Sequence, residues 1–318
     1  MIELVFLGTS SMVPTKERNV SSILLNYNEE LLLFDCGEGT QRQMNIAKVN
    51  RNRIHKIFIT HWHGDHISGL IGLIQTIGNQ LGPKQKTKDK EYDEEVYFEK
   101  PYLEIYGPKG SKEYMGHLLK SCAFDNKVDI TVKEFDCPKI KKICETENYY
   151  VEAVNLKHKT RCLGYSFYEK DKIKIDKQYM KKHKIKEGPH MKKLQAGKDI
   201  KYEDKLIKAK DATFTRPGKK ITFVIDTELV TQAIELAKNS DLLVCESTYH
   251  SDLKDKAHDY KHMTSMDAAR IAQNSNSKKL ILTHISQRYK SCDELVDDAK
   301  VIFENTLCAF DFMKVKIK

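Results

Sequence analysis

Several absences narrow the class of this chain. Its 318 residues contain no stretch of the about 18 consecutive apolar residues that a membrane-spanning helix needs, so no membrane partner is expected. The opening Met1-Ile2-Glu3-Leu4-Val5-Phe6-Leu7-Gly8 lacks the basic and long apolar regions of a secretory signal and reads as a first strand. Eight cysteines (Cys36, Cys122, Cys137, Cys144, Cys162, Cys245, Cys292, Cys308) are scattered with no C-x-x-C pair. That argues against a zinc ribbon and leads us to expect reduced thiols and a cytoplasmic location. No internal repeat is evident. What is present is 40% hydrophobic and 31% charged residues, enough for a sizeable core under a wet surface.

The charge is unevenly placed. The formal net charge is +9, yet between Lys170 and Lys201 twelve lysines face four acids (Asp171, Asp176, Glu187, Asp199), leaving the rest nearly neutral. This segment has few apolar residues and contains Gly188-Pro189, so it reads as a protruding arm. A localised basic lobe suits a polyanionic partner; the competing reading is a solvated lysine-rich loop. A second charged stretch, residues 81–101, reads as an exposed loop with no assigned role.

Elsewhere strands and helices alternate, which indicates an α/β fold. Strands are expected at 3–7, 22–27, 31–35, 54–60, 102–106, 128–135, 149–155, 221–225, 242–245 and 279–283. Helices are expected at 41–49, 67–80, 111–122, 231–238 and 265–273.

The densest chemistry is His61-Trp62-His63-Gly64-Asp65-His66, four potential metal ligands in the spacing H-x-H-x-D-H. It falls on the turn from a buried strand into an amphipathic helix, where rigid elements can fix it. Imidazole and carboxylate together suit zinc and related divalent ions. His61 and His63 can grip one ion, and Asp65 and His66 a second. Two ions about 3.5–4 Å apart form a clamp for hydrolysis, with a bridging hydroxide as nucleophile. Two metals need more donors, and His158, Asp226 and His284 follow later strands to supply them. Ligands gathered at one sheet edge are the usual way α/β folds build a site.

With these residues in place the chain resembles the metallo-β-lactamase superfamily, and within it the tRNase Z family. The resemblance rests on Phe6-Leu7-Gly8-Thr9-Ser10, Val13-Pro14-Thr15-Lys16-Glu17-Arg18-Asn19, Phe34-Asp35-Cys36-Gly37-Glu38-Gly39-Thr40, Ile105-Tyr106-Gly107-Pro108-Lys109-Gly110, and Leu282-Thr283-His284-Ile285-Ser286-Gln287-Arg288-Tyr289. It implies an αββα sandwich over residues 1–318, with an inserted arm at 168–201 that binds tRNA. It implies two Zn2+ per subunit: one on His61, His63 and His158, the other on Asp65, His66 and His284, with Asp226 bridging. It implies catalytic roles for Asp65 and for Glu246 orienting His262, which protonates the leaving 3′-oxygen. It also implies RNA contacts from Lys16, Arg18, Arg288, Lys181, Lys182, Lys184, Lys186, Gly188 and Pro189, a precursor-tRNA substrate whose 3′ trailer is removed, and a homodimer.

Three positions depart from the family pattern. Ile225 precedes Asp226 where glycine is frequent, Cys245 precedes Glu246 where histidine is frequent, and Met263-Thr264 follows His262 in place of Ser-Thr. Two other readings compete. One is a superfamily hydrolase of a small phosphodiester, ester or thioester, which leaves the basic arm without a purpose. The other is an RNA-binding protein without catalysis, whose mark would be a missing ligand, and none is missing.

Overall fold

The computed structural model of the chain describes residues 2–79, 101–203 and 205–317. The charged stretch at 81–101 therefore lies outside the described residues, apart from Pro101. Two seven-stranded sheets dominate. One runs in the order Lys314–Ile317, Ile2–Gly8, Ser22–Tyr27, Glu30–Phe34, Ile54–Phe58, Tyr102–Pro108, Asp129–Phe135. The other runs Thr306–Cys308, Leu280–Thr283, Leu242–Glu246, Lys220–Val224, Arg161–Glu169, Tyr149–Lys157, Lys141–Glu145. Each mixes parallel and antiparallel pairs.

Side-chain alternation explains the layering. Leu4, Phe6, Phe34 and Phe58 of the first sheet point inward and meet Tyr165, Phe167, Phe223 and Val244 of the second. Phe34 stacks on Phe223 at 3.9 Å between ring centroids. The intervening residues Val5, Leu7, Leu24 and Leu33 point the other way, onto helices carrying Met44, Leu70, Leu73 and Ile74. Val224, Leu243 and Cys245 likewise face helices carrying Ala233, Leu236, Ala268 and Ile271. Strands covered on both faces read as continuous apolar runs, as Leu31-Leu32-Leu33-Phe34 does. The result is the expected αββα sandwich.

The segment expected as an arm has a stalk and a core of its own. It leaves the second sheet after Arg161–Glu169 on two strands, Lys172–Ile175 paired antiparallel with Thr213–Arg216. Between them, helices Lys177–Lys182 and His190–Gln195 and the paired strands Ile200–Tyr202 and Lys205–Ile207 enclose a small core of Met180, Ile185, Leu194, Ile200, Ile207, Ala209 and Ala212. Apolar residues dispersed among so many lysines give too weak a periodicity to read.

Cys292 and Cys308 lie close together, Cα atoms 6.3 Å apart, and the other six cysteines are free. One smaller expectation fails. The helix expected at 67–80 is broken into Gly64–Ile67 and Leu70–Asn79. Gly69 causes the break: its N–H donates to Cys36 O at 2.9 Å, and a Cβ there would lie 2.2 Å from Gly37 O. Only glycine lets this turn press against the end of strand Glu30–Phe34. Gly69→Ala is accordingly expected to cost about 1–3 kcal/mol through overpacking, read as a lower denaturant midpoint with an unchanged slope; wild-type stability would show that the contact relaxes freely.

Candidate metal centre

The seven ligand candidates converge where the strands of both sheets end. His61 follows strand Ile54–Phe58, His158 follows Tyr149–Lys157, Asp226 follows Lys220–Val224 and His284 follows Leu280–Thr283. His61 Nε2 lies 2.9 Å from His63 Nδ1, and His158 Nε2 lies 3.3 Å from the same atom. A second group forms around Asp65 Oδ2, with His66 Nε2 at 3.2 Å and His284 Nε2 at 3.5 Å. Asp226 stands between the groups. Its Oδ2 is 3.6 Å from both His61 Nε2 and His66 Nε2, and its Oδ1 is 3.1 Å from His284 Nε2. The structure thus brings together every residue expected to hold metal.

The chemistry of these donors fits a pair of divalent cations. Among the described residues, His66 Nε2, His284 Nε2 and Asp226 Oδ1 are buried atoms that form no hydrogen bond of good geometry, although each lies close to other ligand candidates. Buried polar atoms are normally satisfied, and a cation coordinated by them meets that requirement. The electrostatics agree. Burial would raise the pKa of Asp226, but His284, His66 and His262 outweigh it and hold the carboxyl well below its usual range. Burial would lower His66, but Asp226, Asp65 and Asp35 push it well up. His61 goes the other way: burial, reinforced by the charge of His66, keeps it neutral, as a metal ligand must be. The buried carboxylates demand positive charge at this spot.

Four of the candidate histidines are also held from behind. Asp35, at the end of strand Glu30–Phe34, accepts from His66 Nδ1 at 2.7 Å and from Thr60 Oγ1 and N at 2.8 Å each. Thr60 Oγ1 in turn lies 3.1 Å from His61 Nδ1. One carboxylate therefore fixes the rings of two ligands. His158 Nδ1 donates to Lys261 O at 2.9 Å, and Thr248 Oγ1 lies 3.1 Å from His284 Nδ1. Glu228 pins the Lys261 turn by accepting from Lys261 Nζ at 2.6 Å and from Lys157 Nζ at 2.7 Å. Sequence reasoning assigned no role to Asp35, Thr248 or Glu228. Asp35 left a signal, since an acid closing an apolar strand just before Cys36-Gly37 has no packing purpose. Its backbone is left-handed (φ 56°), as are those of Asp226 (51°) and His284 (57°). Strained conformations of this kind cluster at functional sites.

Beside the cluster lies the expected acid pair. His262 Nδ1 is 3.2 Å from both Glu246 carboxylate oxygens. Glu246 is fully buried and also accepts from Thr227 N at 2.6 Å, Thr248 Oγ1 at 2.8 Å and Met263 N at 3.2 Å. Burial opposes a proton on His262, but Glu246 and Asp226 prevail and raise its pKa to about 9. Cys245, at the departure from the family pattern, is buried against the helices and takes no part.

The expected RNA contacts fare unevenly. Lys16 and Arg288 are exposed on loops, with the Arg288 guanidinium 5.3 Å over the Tyr249 ring. Lys181, Lys182, Lys184, Lys186 and Pro189 are exposed on the arm, and Gly188 is half-buried there. Arg18 is half-buried, and its guanidinium donates to Thr9 Oγ1 at 2.7 Å and Ala309 O at 2.8 Å, bracing its own loop. That loop reaches the cluster through backbone, Met12 N donating to Asp65 Oδ2 at 2.9 Å.

Known proteins resemble this chain along its whole length. Ribonuclease Z of Streptococcus pyogenes serotype M5 is 38% identical over 324 aligned positions, spanning 99% of this chain and 100% of that protein. The crystal structure of human tRNase Z, short form, superposes with a TM-score of 0.68 at 26% identity, covering 99% of each chain. The metallo-β-lactamase fold protein YhfI of Bacillus subtilis gives the same TM-score at 17% identity, covering 99% and 98%. A family model described as anti-Pycsar protein Apyc1 matches residues 2–88, the part that carries H-x-H-x-D-H.

Removing the Asp35 carboxylate frees the rings of two ligands at once. Asp35→Ala is expected to weaken divalent-metal binding by about 10–100-fold, the usual effect of losing a residue that orients a ligand. Competition against a chromogenic chelator measures this; an unchanged affinity would mean that the rings hold their places without it.

Proposed function

This chain belongs to the ribonuclease Z family, and on that footing we propose that it is a zinc-dependent endoribonuclease that removes 3′ trailers from tRNA precursors. The observation that carries the reading is the convergence of seven candidate ligands, Asp226 among them, set beside the Glu246–His262 pair. We place one zinc on His61, His63 and His158, a second on Asp65, His66 and His284, and Asp226 between them. When bound, such a pair supplies a water of lowered pKa and positive charge against the phosphate oxygens.

The remaining steps fall to the protein. Asp65, held by Met12 N and facing His66 and His284, orients the attacking water. As its oxygen bonds to phosphorus, the bond to the 3′-oxygen of the tRNA breaks. His262, kept protonated by Glu246, gives its proton to that oxygen, leaving a 3′-hydroxyl on the tRNA and a 5′-phosphate on the trailer. The basic arm holds the tRNA body through phosphate contacts, which ignore sequence and so suit a substrate recognised by shape. A cytoplasmic homodimer is part of the same reading.

The direct test incubates the protein with a 3′-extended tRNA transcript, with and without chelator, and sizes both products and their ends. Chelator-sensitive release of a 5′-phosphorylated trailer is expected; an intact transcript would refute the reading. His262→Ala is expected to keep its zinc but to slow single-turnover cleavage by about 10²–10⁴-fold, as loss of one general acid does; loss of zinc would instead make His262 a ligand. Replacing residues 176–212 by a short Gly/Ser linker across the stalk is expected to spare hydrolysis of a small phosphodiester. The same change should weaken precursor binding and flatten its salt dependence. Undiminished tRNA binding would reduce the lysine run to a solvated surface.

A further inference from the structure

Trp62 sits inside the ligand motif, between His61 and His63, yet takes no part in holding metal. It is the single tryptophan of the chain. Its indole leaves the cluster on the opposite side, where Nε1–H donates to Ser111 Oγ at 2.7 Å. Ser111 Oγ donates onward to Pro108 O at 2.6 Å, so the indole's only polar atom is satisfied and its orientation fixed. The ring stacks on Tyr114, centroids 5.5 Å apart and planes 23° from parallel. Tyr114 nevertheless keeps 50% of its surface exposed, which is unusual for an aromatic with a partner at hand.

The two rings form one side of a cleft of about 190 Å³ closed by Pro108, Lys109, Thr160 and Arg161. Thr160 stands two residues beyond the ligand His158. Both flanks of the cleft are therefore continuous with loops that carry ligands. Lys109 and Arg161 are exposed and form no ion pair among the described residues; Arg161 Nη1 donates to Lys109 O at 3.3 Å, which sets the two cations side by side. Gly110, at φ 101°, makes the turn that puts Lys109 on this rim ahead of the helix bearing Tyr114.

We propose that this cleft is a binding subsite for one unpaired nucleobase of the substrate's 3′ segment, stacked on Tyr114 and Trp62, with its backbone phosphate held by Lys109 and Arg161. The inference rests on the ribonuclease reading above and adds a place for the RNA next to the cut. The cleft lies below the about 300 Å³ at which pockets for drug-sized ligands begin, a size that suits one planar ring. Stacking on an aromatic wall tolerates any base, because every base has a π-face. Cations without carboxylate partners meet a phosphate at little cost in lost pairing. The site would thus grip trailers of any sequence.

Because Trp62 is alone, its emission reports this cleft in the full-length protein without labelling. A pentauridine oligonucleotide is the probe. Saturable quenching is expected, weakened roughly 5- to 150-fold by Tyr114→Leu, the span of one base–aromatic stack. Arg161→Gln should weaken it as well and make its salt dependence shallower. On a 3′-extended tRNA transcript, a single abasic position in the trailer should lower kcat/KM for the parent by the same factor as Tyr114→Leu and have no further effect on that variant. The two changes would then be coupled through one contact. Cleavage of the transcript with no quenching, and with Tyr114→Leu and Arg161→Gln both indistinguishable from the parent, would overturn the subsite while leaving the function intact. A parent that cuts no transcript refutes the functional reading instead.

Discussion

A carboxylate buried to 2% exposure among five imidazoles is costly unless something compensates it, and Asp226 is that carboxylate. Its position explains the arrangement around it. Strand Lys220–Val224 stops one residue short, the backbone turns left-handed, and the side chain is delivered to the point where both sheets end. His61 and His66 arrive from the first sheet, His158 and His284 from the second. The sandwich interior, dry and aromatic where Phe34 meets Phe223, keeps water from reaching this charge from below. The donors can be satisfied only from the open edge, which is where a polyanionic substrate would approach.

Most of this was legible in the sequence, for definite reasons. Ligands must be histidine or aspartate, and His61, Asp226 and His284 each come directly after an apolar run, so type and place reinforce one another. The supports were harder to see. Asp35, Thr248 and Glu228 act through other residues, and an acid or hydroxyl that orients a ring looks like any polar residue until the ring is next to it. The hydrogen bonds of Arg18 were hidden for a related reason: a motif records that an arginine matters without saying which way its guanidinium points. The break at Gly69 escaped because a helical period survives one glycine, while the contact that forces the break comes from Gly37, far away in the chain.

The arm was legible as charge and obscure as structure. Lysine dominates its composition because nearly all of its surface faces solvent. Its few apolar residues, dispersed through two short helices and a hairpin, close a core too small to impose a clear period. Charge and core serve different ends here. The lysines give a field that falls off within about 10 Å at ordinary salt, and the core with its stalk sets where that field stands.

None of the seven buried residues of the arm's core belongs to any of the other three apolar clusters. The arm leaves the sandwich on a stalk whose two strands pair with each other and with neither large sheet. A segment built this way behaves as its own cooperative unit, opening at a lower free energy than the body that carries it. Amide hydrogens in helices Lys177–Lys182 and His190–Gln195 would then exchange well before those of Leu242–Glu246. On warming, the molecule would stop recognising large substrates at a temperature where its hydrolytic edge is still assembled, so the upper thermal limit for its work would be set by its smallest core.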